Sequence, residues 1–150
     1  MQRNRIFKAK MLLNVSYNDK KIDARIATEV GTPFTLKERI RLRGIGSPKL
    51  FITSTSIEIH NLLVLDSTIN TCNIEMRPKG IIVRFRSLLE TYALVIPHYK
   101  LSLYKGKANE YSIYRDQYFI RVKANRSVHD FMKKVLDYKA DNAPAQPDEL

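Results

Sequence analysis

The chain has 150 residues, of which 44% are hydrophobic, 27% charged and 9% aromatic, and a chain of this length and composition forms one domain with a sizeable core. Five glycines, six prolines and one cysteine exclude collagen, a wholly disordered chain and a disulfide-stabilised scaffold. Apolar runs such as 62–65 and 93–96 have four residues, whereas a membrane-spanning helix needs about 20.

The charge is strongly basic and unevenly distributed. The 26 Lys and Arg exceed the 15 Asp and Glu by 11, and residues 1–50 alone carry a net +8. An acidic partner such as nucleic acid, anionic lipid or an acidic protein would explain this excess. Solvated outer faces of a small antiparallel sheet, built with arginine, would explain it equally well.

Alternation of apolar and polar residues predicts strands along most of the chain. Residues 8–17 and 22–30 flank a turn sequence at 18–21, which predicts an N-terminal hairpin at 8–30. Residues 35–38 resemble a helix-starting capping box. Residues 39–43 alternate strictly, however, and only a strand would align their arginines on one face, so a strand is predicted there.

The central hairpin has the clearest sequence signal. Residues 72–77 and 81–86 alternate on either side of Pro78-Lys79-Gly80, where the proline cannot donate to a ladder and the glycine accepts a positive φ. Residues 61–70 show no clear period. Further strands are predicted at 49–53, 56–60, 91–96, 99–104, 111–115 and 118–123, for a total of nine to eleven.

The period changes to 3.6 only near the end of the chain. Ser127 is the predicted N-cap of a helix at 127–139. Its predicted core-facing residues are Val128, Phe131, Met132, Val135 and Leu136. The segment 140–150 has too little apolar content to order itself and is predicted to be a disordered tail.

These elements predict a mainly β (α+β) fold. A sheet of this size tends to curl, because its twist accumulates and because open edges invite aggregation. We therefore expect a strongly curved antiparallel sheet or barrel with one C-terminal amphipathic helix plugging an open end. Residues 1–139 would form a single domain, with the hairpin at 8–30 as a part of it or an extension.

Three segments carry a resemblance to a known family. Residues 49–53 with 56–60, residues 95–101 with their proline, and residues 118–123 leading into 128–136 resemble strands and the closing helix of GRAM-type bacterial domains. The chain is therefore similar to the PH-like (pleckstrin-homology) superfold over about residues 35–139. The resemblance implies a PH-like sheet and a binding function. The Lys-x-n-Arg-x-Arg pattern of phosphoinositide-binding PH domains is represented only by Arg39-Ile40-Arg41.

No motif in the sequence points to catalysis. His60, His98 and His129 stand far apart and lie at no metal-ligand spacing from Cys, Asp or Glu. Nucleophile elbows, P-loops and dinucleotide glycine motifs do not occur. Cys72 lies in an apolar alternation and is predicted to be a buried hydrophobe. The sequence predicts no catalytic residue, no metal site, no cofactor and no enzyme activity.

Basic faces are the remaining candidates for function. Each of two predicted stripes could hold a phosphate, because guanidinium binds phosphate in a bidentate manner. The candidate anion-binding residues are Arg39, Arg41, Arg43, Arg77, Lys79, Arg84 and Arg86. Eight tyrosines offer stacking surfaces or ordinary strand packing.

We expect a cytoplasmic, non-enzymatic PH-like binding module that recognises a protein segment or an anionic membrane headgroup. The alternative is a basic nucleic-acid-binding protein.

Overall fold

A computed structural model describes residues 11–65, 70–107 and 109–143, which form one antiparallel eight-stranded sheet with four α-helices. The strands, β1 to β8 in chain order, are Leu12–Asn14, Leu50–Thr55, Thr71–Arg77, Gly80–Ser87, Glu90–Pro97, Ser102–Gly106, Glu110–Arg115 and Tyr118–Lys123. The helices, α1 to α4, are Lys20–Val30, Leu36–Arg41, Ile57–Leu63 and Arg126–Asp141. A 3₁₀ turn at His98–Lys100 separates β5 from β6.

The predicted mainly β fold with antiparallel strands and a C-terminal helix is confirmed, but the described strands do not close into a barrel. The strand order is β1-β5-β4-β3-β2-β8-β7-β6, so β1 and β6 are open edges. Strand β2 joins the two halves of the sheet. Leu50 and Phe51 pair with β3, whereas Ile52 to Thr55 pair with β8 through a register shift. Because such irregularities increase local twist, β2 is where the sheet bends.

The main core lies on the inner face of this bent sheet. It combines side chains of both halves with one face of α4, whose Phe131, Met132 and Val135 are almost fully buried. Leu136 is 40% exposed and lies outside this face, contrary to the sequence prediction. The helix is capped by Asn125, whose side chain accepts from the Val128 N–H, rather than by Ser127 as predicted.

A second core lies on the outer face, where α1 packs against β1, β4 and β5. Ile26 and Val30 contact Ile82, Ala93 and Val95 there. The expected hairpin at 8–30 is wrong, because residues 22–30 are helical and the strand in its first half, Leu12–Asn14, pairs with β5 instead. Residues 8–10 of that prediction lie outside the described residues. The Asp19 side chain accepts from two N–H groups of the first turn, and the four-residue spacing of Ile22, Ile26 and Val30 makes an apolar helical stripe.

The predicted strand at 39–43 is also wrong. Thr35 and Glu38 form a complete capping box, in which the Thr35 N–H donates to the Glu38 carboxylate over 2.8 Å. This local signal starts α2, none of whose residues is buried. Alternation of arginines with Ile40 therefore reflects no buried face: Ile40 is 70% exposed.

The predicted strand at 56–60 is helical as well. Ser56 occupies the N-cap position of α3, and Ile59 and Leu63 are buried one turn apart. The segment at 61–70, which shows no clear period, contains the end of this helix, while residues 66–69 lie outside the described residues. At 99–104 the chain first makes the 3₁₀ turn and enters β6 only at Ser102.

The β3–β4 and β7–β8 hairpins and strand β5 are confirmed. Gly80, however, has no positive φ. A Cβ atom at this position would collide with the Ile96 carbonyl and the Val30 side chain, so the glycine is needed for the close approach of β5 and α1.

Two predictions about the ends of the chain are only partly addressed by the described residues. Helix α4 continues to Asp141, past the predicted end at 139, and residues 144–150 of the predicted tail lie outside the described part. No helix in the described ranges is long and apolar enough to cross a membrane.

Candidate anion-binding site

The outer face of the β3–β4 hairpin carries a group of polar and charged side chains. Cys72, Ile74 and Met76 point into the core, so the residues between them point outward. The outward residues of the two strands are Asn73, Glu75, Arg77, Ile82, Arg84 and Arg86. Of the predicted candidates, the structure thus brings Arg77, Arg84 and Arg86 to one surface.

Glu75 sits between two arginines of this surface. One carboxylate oxygen accepts from Arg77 Nε and the other from Arg84 Nη1, each over 2.7 Å. Arg77, whose side chain is only 10% exposed, also donates to the Gly31 carbonyl over 2.8 Å. Because one carboxylate serves two guanidiniums, the cluster keeps one positive charge.

The Glu75 carboxylate is ionised in this setting. Burial by itself would raise its pKa, but the hydrogen bonds and charges of Arg77 and Arg84 outweigh burial and lower the pKa below its ordinary value. The two ion contacts therefore persist to lower pH than they would with a carboxylate of ordinary pKa.

Next to this cluster lies a groove of about 670 Å³ on the outer side of β3 and β4. Its cations are Lys49, Arg84 and Arg86, and none of its described lining residues is acidic. Hydroxyl and amide groups complete its polar wall, from Ser47, Asn70, Thr71, Asn73 and Thr91. Cations together with neutral donors form a surface that suits anionic oxygens.

Two cations of the groove have no protein partner among the described residues. Lys49 and Arg86 are exposed and make no hydrogen bond or ion pair there, unlike Arg84, which is held by Glu75. The groove thus presents one fixed guanidinium and two free cationic groups.

The thiol that lines the groove is not an activated nucleophile. Cys72 lines it, but the residue is 4% exposed, and burial raises the pKa of its thiol to about 12. A thiol with this pKa stays protonated at neutral pH and is a poor nucleophile. The prediction that Cys72 is buried is confirmed.

The remaining predicted site residues do not reach the groove. Arg39 and Arg41 are two helical residues apart on α2 and so point to roughly opposite sides. Arg43 follows the helix in a left-handed conformation, with φ of 61°. Lys79 is exposed in the β3–β4 turn. The arginine stripe predicted from a strand at 39–43 is therefore wrong, although all three side chains are exposed.

Several groove residues were missed by sequence reasoning. Asn73 lies directly opposite Arg84, and the hairpin register alone could have placed it there. Lys49 and Ser47 come from the segment before β2, which is held beside β3 by the pairing of Leu50 with Cys72 and by the hydrogen bonds of Ser47 with Ile74. No local pattern signals that contact.

A second polar surface lies on the other half of the sheet, where no helix of the described ranges packs on the outer face of β6, β7 and β8. The rings of Tyr104 and Tyr114 have centroids 5.7 Å apart, and those of Tyr114 and Phe119 are 5.6 Å apart. The Arg121 guanidinium lies 5.1 Å from the Phe119 ring centroid and donates to three hydroxyls. We call these four residues the aromatic ladder.

Within the described ranges, no group of three or more His, Cys, Asp and Glu side chains could hold a metal ion. Comparisons with protein-family models, with curated proteins and with solved structures find no match to this chain.

Proposed function

We propose that the chain is a non-enzymatic PH-like binding module that recognises an anionic headgroup in the groove formed by Lys49, Arg84 and Arg86. The observation that carries the proposal is the absence of a carboxylate among the described groove residues, beside two cations that have no protein partner. A solvated face would distribute such charges without gathering neutral donors around them. The protonated Cys72 thiol supports a binding role over catalysis.

The architecture supports the PH-like part of the proposal. Both halves of the sheet are antiparallel meanders, β2 bends between them, and a C-terminal amphipathic helix packs on their common core. Helix α1 is an addition on the outer face, and strand β1 is an addition at the edge of the sheet, next to β5. Folds of this kind host many functions, so it is the groove, and not the fold, that indicates the ligand.

The test removes the free cations. The variant Lys49→Gln/Arg86→Gln keeps Arg84 and its contact with Glu75, so it should fold as the wild type does. Each cation near an anionic membrane surface contributes about 1 kcal/mol, and loss of both should weaken binding by about 30-fold. Binding is measured by co-sedimentation with phosphatidylserine-containing vesicles and by calorimetry with inositol hexakisphosphate, a soluble polyphosphate.

The matched control removes the same charge elsewhere. Lys105 and Lys107 are exposed at the far end of the other half of the sheet, so Lys105→Gln/Lys107→Gln changes the net charge equally. If both variants lose the same affinity, binding follows net charge and the groove is not a site. If the wild type binds neither probe, the proposed function is wrong.

Nucleic-acid binding is the second candidate, and the aromatic ladder favours it. Aromatic rings on an open sheet face, beside a cation without a carboxylate partner, suit stacking of single-stranded bases. The same contacts also stabilise antiparallel strands. Affinity for single-stranded RNA that falls steeply with salt and is lost in Tyr104→Ala would favour this candidate.

A further inference from the structure

Two exposed apolar pairs lie at the end of the sheet that carries the groove. Leu88 and Leu89 form the two-residue turn between Ser87 and Glu90, and are 54% and 85% exposed. Val64 and Leu65, each 58% exposed, follow α3. The Ser87 hydroxyl donates to the Leu62 carbonyl and so holds the end of α3 against the end of β4.

The two leucines of the β4–β5 turn contradict the residue preferences of such turns. Leu88 has a φ of 55°, a conformation that two-residue hairpin turns normally give to glycine, asparagine or aspartate. A leucine in this conformation is strained, and its exposed side chain gains little burial in return. Positions that break a local rule without a compensating gain in the fold are expected at functional sites.

The apolar turn and the cationic groove are continuous. Leu88 is itself a lining residue of the groove, together with Arg86 on the strand before it and Thr91 on the strand after it. An apolar tip flanked by cations matches the two layers of an anionic bilayer, whose acyl chains accept leucine and whose headgroups accept Lys and Arg. A soluble anionic ligand would use the cations but would leave the exposed leucines without a role.

We propose that Leu88 and Leu89, supported by Val64 and Leu65, insert into the surface of an anionic membrane while the groove holds a headgroup. The proposal rests on the proposed function, because it uses the same groove and names the membrane as the source of the headgroup. Insertion places the β4–β5 turn in the bilayer interface and leaves the β3–β4 turn, at the other end of β4, in solvent.

The test exchanges the leucines for residues that suit the turn. Leu88→Asn/Leu89→Gly should fold at least as well as the wild type, because these residues accept the turn geometry. Co-sedimentation uses phosphatidylcholine vesicles with about one-third phosphatidylserine. We expect the variant to bind them at least about tenfold more weakly, and to bind inositol hexakisphosphate as the wild type does.

A matched control and a depth probe complete the design. Leu36→Gln/Ile40→Gln removes two exposed apolar residues of α2, which are 73% and 70% exposed, and should leave vesicle binding unchanged. The chain has no tryptophan, so Leu89→Trp gives a single tryptophan, which can be excited selectively over the eight tyrosines. Its emission should shift to the blue with vesicles and be quenched by lipids brominated on their acyl chains.

The outcomes separate this inference from the proposed function. Unchanged vesicle binding by Leu88→Asn/Leu89→Gly, or an equal loss in the α2 control, overturns insertion, and so does an unquenched Leu89→Trp. The proposed function survives those results if Lys49→Gln/Arg86→Gln still loses affinity for either probe. Absence of wild-type binding to vesicles, with retained binding of inositol hexakisphosphate, overturns insertion alone.

Discussion

The guanidinium of Arg115 donates a 2.8 Å hydrogen bond to the main-chain carbonyl of Val95. Arg115 ends β7 and Val95 lies in β5, and strands β4, β3, β2 and β8 stand between them in the sheet. A contact across four intervening strands requires the sheet to curl over its core. Arg115 also contacts the Glu29 carboxylate of α1 over 3.2 Å, so one buried side chain joins both halves of the sheet and the outer helix.

Arg115→Met should lower the free energy of unfolding by about 2–3 kcal/mol, because it leaves the Val95 carbonyl and Glu29 without their partner. Urea unfolding measures the change. Arg126 is exposed at the start of α4, so Arg126→Met is the control and should change stability by less than about 0.5 kcal/mol. Equal effects of the two substitutions would contradict a bridging role for Arg115.

Glu75→Gln should have opposite effects on stability and on anion binding. It leaves the buried Arg77 without its carboxylate, which should cost about 3 kcal/mol, the lower end for breaking a buried ion pair. It also removes a negative charge beside the groove and frees Arg84, so inositol hexakisphosphate should bind more tightly.

Thermal melts and calorimetry check the two effects of Glu75→Gln separately. Asp137→Asn breaks an exposed ion pair on α4 and is the control for the loss of one carboxylate. It should change neither quantity measurably. Weaker anion binding by Glu75→Gln would show that Arg84 needs Glu75 to be positioned.

The central hairpin could be predicted because two independent signals agree on it. The alternation of 72–77 and 81–86 and the turn chemistry of Pro78 both indicate a strand–turn–strand unit, and the structure has both strands, paired antiparallel around that turn. The late change of period predicted α4 for the same reason, since Phe131, Met132 and Val135 face a core that fixes the 3.6-residue spacing.

The helices α1 and α2 were mistaken for strands because alternation is weak evidence over short segments. Ile22, Ile26 and Val30 fit a four-residue spacing as well as a two-residue spacing. In α2 no residue is buried, so its pattern of apolar and basic residues carries no structural information. In this segment the capping box of Thr35 and Glu38 indicates the helix, whereas the alternation at 39–43 favours a strand and led to the wrong prediction.

Half of the candidate site followed from the hairpin pattern, and half depended on contacts distant in sequence. The outward positions of Arg84 and Arg86 are a consequence of local alternation. The presence of Lys49 beside them depends on the pairing of β2 with β3, across 22 residues from Leu50 to Cys72. Such a register is set by the packed core and cannot be read from one segment.

Phe131→Ala should cost about 3–5 kcal/mol, because it empties a buried aromatic position between α4 and the sheet. Leu136→Ala is the matched control on the same helix. Its side chain is 40% exposed, so the cost should be below about 1 kcal/mol. Chemical denaturation distinguishes these values, and a melt of Phe131→Ala that equals that of the wild type would mean that α4 does not close the core.

Acid should destabilise the protein through His98. Neither ring nitrogen has a hydrogen-bond partner among the described residues, and the ring packs beside Tyr138 with centroids 6.0 Å apart. Burial, with the nearby charge of Lys139, lowers the pKa of His98 to about 4. The unfolded chain, with an ordinary histidine pKa of about 6.5, therefore takes up a proton between pH 6.5 and 4 that the folded chain excludes. This contribution to stability is fully present above this window, and inside the window the free energy of unfolding falls as the pH falls, by up to about 1.4 kcal/mol per pH unit.

His98→Phe removes the titration and keeps an aromatic ring, so its unfolding free energy should decline less than that of the wild type between pH 7 and 5. Other acid-sensitive groups such as Glu75 are common to both proteins and cancel in this difference. Parallel pH profiles of the two proteins, measured by urea unfolding, would contradict the assignment to His98.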